Sequence, residues 1–126
     1  VNLLLDTHVF IWWNSGGSRL GKAAIAAIAD PANETYVSAA SVWEIAVKRQ
    51  LGRLIYSGSP LDAIERCGFL ALPILAAHAE LVGTLPPLHA DPFDRMLIAQ
   101  AQFASLTLVT SDRKVAAYAV PQLWGG

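Results

Sequence analysis

An α/β domain organised around a mostly parallel sheet of about five strands is the fold this sequence predicts, and three observations predict it. The run Val1-Asn2-Leu3-Leu4-Leu5 is aliphatic almost without interruption and stops at Asp6. Apolar character without period-two alternation marks a strand covered on both faces, as in the middle of a parallel sheet. Short β-prone segments recur between longer segments of helical spacing, and that alternation calls for right-handed crossovers that lay the strands parallel. Finally, residues that start helices follow the strands directly. This puts Asp6 at the carboxyl edge of the sheet, where loops and the positive ends of helices converge.

The elements follow in order. Thr7 to Asn14 carries Val9, Phe10, Ile11, Trp12 and Trp13 and ends at Ser15-Gly16-Gly17-Ser18, a short buried helix and a loop. Gly21 to Ala29 is rich in Ala with Ile25 and Ile28 three apart, a helix stopped by Asp30-Pro31. Thr35 to Ser38 is the second strand. Ser41 to Gly52 is a helix with Ser38 or Ser41 as N-cap and Gly52 as its stop. Leu61 to Cys67 is helical with Pro60 near its first turn, Phe69 to Ile74 is the third strand, and Ala76 to Val82 is helical before the Pro86-Pro87 break. The strongest helix signal is Asp91-Pro92, N-cap and N1 residue, followed by a stripe of Phe93, Leu97, Ile98, Ala101 and Ala104. Leu106 to Thr110 is the fourth strand, Arg113 to Ala119 a helix and Val120 to Trp124 the last strand.

Composition narrows the function classes. A chain of 126 residues without an internal repeat predicts one domain over residues 1–126. Hydrophobic residues make up 54% and the mean hydropathy is +0.41, more than a small monomer needs inside, so an oligomer or a tight partner is expected. Apolar runs such as Ala23 to Ala29 are too short to cross a bilayer, no secretory leader is evident, and the lone Cys67 cannot form an internal disulfide. The expected compartment is the cytoplasm. A net charge of −1 argues against a protein that coats nucleic acid by bulk attraction. Lys48, Arg49 and Arg53 read as partners of a helix end, whereas Arg95, Arg113 and Lys114 lie beside acids.

Four carboxylates fall where the architecture converges: Asp6 after strand one, Glu44 early in the helix after strand two, Asp94 in the first turn of its helix, and Asp112 after strand four. Each has a purely structural explanation. Asp6 and Asp112 could be N-caps, Glu44 could close a capping box with Ser41 or pair with Lys48, and Asp94 could complement the helix dipole. Four at one sheet edge are harder to explain that way, because packed carboxylates repel and, unaided, hold protons or spread apart. A divalent cation resolves the conflict, and oxygen ligands without Cys or His at zinc spacing favour Mg²⁺ or Mn²⁺. Phosphodiester hydrolysis is the natural chemistry of such a site.

The stretches Leu3-Leu4-Leu5-Asp6-Thr7-His8, Ser38-Ala39-Ala40-Ser41-Val42-Trp43-Glu44-Ile45-Ala46, His89-Ala90-Asp91-Pro92-Phe93-Asp94-Arg95 with Ile98-Ala99-Gln100-Ala101, and Leu108-Val109-Thr110-Ser111-Asp112 resemble, in this order, the motifs of PIN-domain ribonucleases. More narrowly the chain is similar to the VapC toxins of bacterial toxin–antitoxin pairs, from Asn2 to about Trp124. The resemblance implies a PIN-like three-layer α/β/α fold. It matches Asp6, Glu44, Asp94 and Asp112 to the family's acidic quartet, which binds Mg²⁺ or Mn²⁺, with Thr7, Thr110 and Ser111 in the supporting shell. It further implies a homodimer, an RNA substrate and a cognate antitoxin whose C-terminal segment lies across the active-site groove.

Asp91 neighbours Asp94 but is so good a helix start that it is assigned to capping. Arg95 is the best basic candidate for a phosphate contact; a salt bridge anchoring Asp91 or Asp94 is its structural alternative. His8, His78 and His89 have no ligand spacing and read as packed or surface residues. Trp12, Trp13 and Trp43 read as core or interface rather than base-stacking residues. The expected function is therefore a toxin acting as a Mg²⁺-dependent endoribonuclease. Two rivals are an aspartyl-phosphate phosphatase, weakened because His8 stands where a second Asp is expected, and a non-catalytic PIN-like RNA-binding module.

Overall fold

The computed structural model describes residues 1–126. Strands β1 (Asn2–Leu5), β2 (Glu34–Ser38), β3 (Leu70–Leu72), β4 (Thr107–Thr110) and β5 (Gln122–Trp124) form one sheet in the order β3-β2-β1-β4-β5, every pair parallel. The crossovers are built from α1 (Thr7–Asn14), α2 (Lys22–Ala29), α3 (Ala39–Gln50), α4 (Pro60–Arg66), α5 (Ala76–Val82), α6 (Pro92–Ala104) and α7 (Arg113–Ala116). No helix is long and apolar enough to cross a membrane.

The central position of β1 explains its unbroken aliphatic sequence. Leu3 and Leu5 enter one core with Val9 and Phe10 of α1, Ala24 and Ile28 of α2, and Ala63 and Ile64 of α4. Leu4 points the other way, into a second core with Leu97, Ile98 and Ala101 of α6 and Val115 of α7. Two cores, one per sheet face, make the three layers that the resemblance implies.

Several bounds differ from expectation for local reasons. Ser38, not Ser41, caps α3, its hydroxyl accepting from Ala40 N at 2.9 Å, so the helix begins at Ala39. Ser59 caps α4, which brings Pro60 inside the helix at its first turn. The third strand is shorter than Phe69 to Ile74: Gly68 turns with φ +72, Phe69 drops into the core, and Pro73 has no N–H to continue the ladder. The last helix ends at Ala116 instead of Ala119 because Tyr118 and Val120 close tight turns onto Val115 and Tyr118 on the way to β5. In α6, Ala104 is exposed rather than part of the buried stripe.

One buried polar link sets the relative position of the two helices that carry Glu44 and Asp94. The Ser38 hydroxyl, while capping α3, donates to Gln100 Oε1 of α6 at 2.6 Å, and Gln100 Nε2 reaches Pro73 O at 3.2 Å. Ser38 and Gln100 are both fully buried, so neither can turn to water for a replacement partner. Gln100→Leu keeps the volume but strands the Ser38 hydroxyl. The expected cost is about 1–3 kcal/mol in urea denaturation, read as a lower midpoint at unchanged m; an unchanged midpoint would refute the pin.

Candidate active site at the carboxyl edge of the sheet

Parallel pairing registers Leu5 against both Val37 and Val109, so the residues after β1, β2 and β4 emerge side by side. Asp6 is the first. Its Oδ1 accepts from Val9 N at 2.8 Å and caps α1, and its carboxylate is also bonded by the Thr110 hydroxyl and the Ser111 backbone N–H. Burial raises its pKa and outweighs the hydrogen bonds, which act to lower it.

Glu44 lies inside α3 and is buried. Thr7 Oγ1 donates to Glu44 Oε1 at 2.7 Å and shares a second hydrogen bond with Ser41 Oγ at 2.9 Å. Glu44 Oε2 takes the Lys48 ammonium one turn further on. The capping box with Ser41 does not form, since Ser38 holds that position; the pairing with Lys48 does. Partial burial works against the Lys48 charge, yet the hydrogen bond and charge of Glu44, with the charges of Asp91 and Asp94, leave its pKa raised.

Asp91 caps α6 as the sequence predicts, Oδ1 accepting from Phe93 N at 2.8 Å and Asp94 N at 3.1 Å. Asp94 sits one turn in, with Oδ2 2.8 Å from His89 Nε2. Its pKa is pushed up to about 7. Burial is the largest cause, followed by the Asp91 charge; the His89 hydrogen bond opposes them, and the charges of Glu44 and Asp6 add to the rise. Asp112 caps α7 through Oδ1, which accepts from Lys114 N at 2.8 Å, while its Oδ2 lies 3.5 Å from the same His89 Nε2. Thr110 Oγ1 accepts from Asp112 N at 3.1 Å.

Asp6 and Glu44 thus act on Asp94 through their charges, and Asp94 and Asp112 meet at His89, the three ligand atoms of this last group lying within 4.8 Å of one another. Capping engages Oδ1 of Asp112 and leaves its Oδ2 facing His89.

Two residues depart from expectation. His89, expected as a packed or surface residue, stands between two of the acids; the available signal was its place in the loop that feeds the Asp91-Pro92 helix start. Arg95, expected as a phosphate contact with an ion pair to Asp91 or Asp94 as the alternative, makes no such ion pair. Its guanidinium donates to Val82 O (3.0 Å), Leu85 O (3.3 Å), Pro86 O (3.1 Å), His89 O (3.3 Å) and Tyr118 Oη (3.1 Å), so it clasps the loop before α6. His78 is a packed histidine, with Nδ1 accepting from Leu75 N at 2.9 Å. Trp43 is 58% exposed and packs edge-on against Phe93.

The raised pKa of Asp94 makes stability depend on pH. The folded chain holds this proton more tightly than the unfolded chain, whose aspartates titrate near about pH 4. In metal-free protein the Asp94 contribution is therefore full below about pH 4 and is lost as pH rises through about 7. Asp94→Asn is expected to melt at a higher temperature than the parent at pH 8 without metal, and to show a flatter decline between pH 4 and 7. A lower melting temperature at pH 8 would contradict the electrostatic account.

Comparison with known proteins agrees with the architecture. Residues 3–121 match the PIN domain family. The chain is 31% identical to Ribonuclease VapC22 of Mycobacterium tuberculosis over 131 aligned residues, covering 95% of this chain and 94% of that protein. Among solved structures, a toxin–antitoxin complex from Klebsiella pneumoniae superposes with a TM-score of 0.65 at 21% identity, over 97% of this chain and 96% of that one. VapBC2 from Rickettsia felis, bound to a DNA fragment from its promoter, superposes with a TM-score of 0.64 at 13% identity over the whole of both chains. With a family match over nearly its full length, a VapC relative at this identity and solved structures of the same fold, the chain belongs to the PIN-domain family and is of the VapC type.

Proposed function

We propose that this chain is the toxin of a toxin–antitoxin pair and a metal-dependent endoribonuclease, in which Asp6, Glu44, Asp94 and Asp112 hold Mg²⁺ or Mn²⁺ against an RNA phosphodiester. The observation that carries this reading is the convergence of side chains on one pocket: ligand atoms of Asp94, Asp112 and His89 lie within 4.8 Å of one another, and the charges of Asp91, Glu44 and Asp6 also act on Asp94. Carboxylates that only cap helices gain nothing from lying within reach of each other's charge. A divalent ion cancels that repulsion, and oxygen donors of this kind suit a hard cation. When bound, such an ion activates water for attack on a phosphoryl group and neutralises charge on the leaving oxygen.

The chain's own residues keep the donors in place. Val9 N, the Thr110 hydroxyl and Ser111 N fix the Asp6 carboxylate, and the Thr7 hydroxyl orients Glu44. Thr110 Oγ1 also holds the Asp112 backbone, so one buried threonine supports two of the four acids. Lys48 balances Glu44 until an ion enters.

Partners follow from the same reading. VapC22 is named a ribonuclease and the structural neighbours were solved as toxin–antitoxin complexes, which supports RNA as substrate and a cognate antitoxin across the groove. An apolar groove lined by Val42, Trp43, Ala46, Leu61 and Leu72, with Trp43 and Leu61 both largely exposed, offers surface for a second protein chain and supports assembly beyond a monomer, with a homodimer as the proposed state.

Cleavage of single-stranded RNA with Mg²⁺ or Mn²⁺ tests the proposal. Activity is expected to vanish in chelator and to fall by about 10²-fold or more in Asp6→Asn and Asp94→Asn; full activity in chelator would refute it. For Glu44→Gln, which keeps an acceptor for Thr7, the expected result is loss of cleavage at an unchanged melting temperature. The reverse pattern would assign Glu44 to folding alone. Mn²⁺ should raise the melting temperature, because an ion that binds only the folded state stabilises it. Such a rise without RNA cleavage would favour a non-catalytic binding module.

A further inference from the structure

We propose that His89 is itself a metal ligand, giving Nε2 beside Asp94 and Asp112, so that the ion sits among nitrogen and oxygen donors and not oxygen alone. This inference rests on the metal-dependent reading above and refines its donor set.

Geometry supports coordination. An ion bonded at about 2.1 Å to neighbouring corners of an octahedron holds those two ligand atoms about 3 Å apart. His89 Nε2 lies 2.8 Å from Asp94 Oδ2 and 3.5 Å from Asp112 Oδ2, on either side of that separation. The ring is enclosed, its side chain 12% exposed, and its edge faces carboxylates from two different helix starts, Asp94 in the first turn of α6 and Asp112 at the junction of β4 and α7.

The backbone of His89 is held as a ligand's should be. Its N–H donates to Tyr118 Oη at 2.9 Å, and its carbonyl accepts from Arg95, whose guanidinium also ties down Val82, Leu85 and Pro86. Tyr118 Oη in turn donates to Pro86 O at 2.8 Å and accepts from Arg95. These bonds immobilise a loop whose own Pro86, Pro87 and Leu88 are exposed and bury nothing. They fix the backbone from which the ring of His89 projects. Coordination needs the Nε2 lone pair, so any proton shared by Nε2 and Asp94 Oδ2 leaves to solvent when an ion enters.

The alternative is that His89 only tethers Asp94 to Asp112 by hydrogen bonds, and spectroscopy separates the two. Pulsed EPR of the full chain loaded with Mn²⁺ is expected to show the nitrogen hyperfine coupling of a coordinated imidazole, and both His89→Ala and His89→Gln should lose it. Imidazole favours Co²⁺ over Mg²⁺, so His89→Gln should weaken Co²⁺ binding by about tenfold or more in calorimetry, with a smaller loss for Mg²⁺. Mn²⁺ bound without nitrogen coupling, or a coupling that survives in His89→Ala, would overturn the ligand role while leaving the nuclease reading intact. Failure of Mn²⁺ to bind at all would overturn both.

Discussion

Negative charge buried beside negative charge is the constraint around which this molecule is arranged. Water screens such repulsion at a surface, but here Asp6 and Glu44 are almost wholly enclosed and Asp94 is largely so. The groups could relieve the strain by turning outward, and specific hydrogen bonds prevent it. Backbone N–H groups hold Asp6, Asp91 and Asp112 at helix starts, and a threonine hydroxyl holds Glu44. The structure keeps its acids close at a cost to its own stability, which makes sense when something positive is meant to join them.

Ordinary helix capping is the means by which this is done. A parallel sheet needs a helix after each strand, and each helix needs an acceptor at its first turn. An aspartate can satisfy the turn with one oxygen and present the other to the site, as Asp112 does with Oδ1 on Lys114 N and Oδ2 toward His89. On the proposed reading, the capping and metal-holding roles of Asp6 and Asp112 are one geometry with two consequences. The buried Ser38–Gln100 contact extends the logic to packing, since it couples the cap of the helix bearing Glu44 to the helix bearing Asp94. Arg95 and Tyr118 do the same for the loop bearing His89.

Features governed by local chain chemistry were legible in the sequence. The aliphatic run at Leu3-Leu4-Leu5 announced a strand covered on both faces, and Asp91-Pro92 announced a helix start. Repeated alternation of strand and helix announced the parallel sheet, and with it the common edge at which Asp6 and Asp112 emerge. Features decided by contacts between distant segments were not legible. His89 faces Asp112 across twenty-three positions because Tyr118 and Arg95 fold its loop back, and no local pattern encodes that return. Arg95 looked like a phosphate contact because it adjoins an acid in sequence, yet its guanidinium is engaged by carbonyls of the loop before α6. The third strand came out shorter than its apolar run because Phe69 satisfies the core while Pro73 ends the ladder.

The central claim is that side chains from separate junctions form one cage for a divalent ion. Crystals of the full chain soaked in Mn²⁺ and measured at the manganese absorption edge test it most directly. The account predicts an anomalous peak within about 2.2 Å of carboxylate oxygens from both Asp6 and Asp94, on the side of the pocket that Asp112 and His89 face. Anomalous density confined to exposed surface carboxylates, with this pocket empty at saturating Mn²⁺, would contradict it.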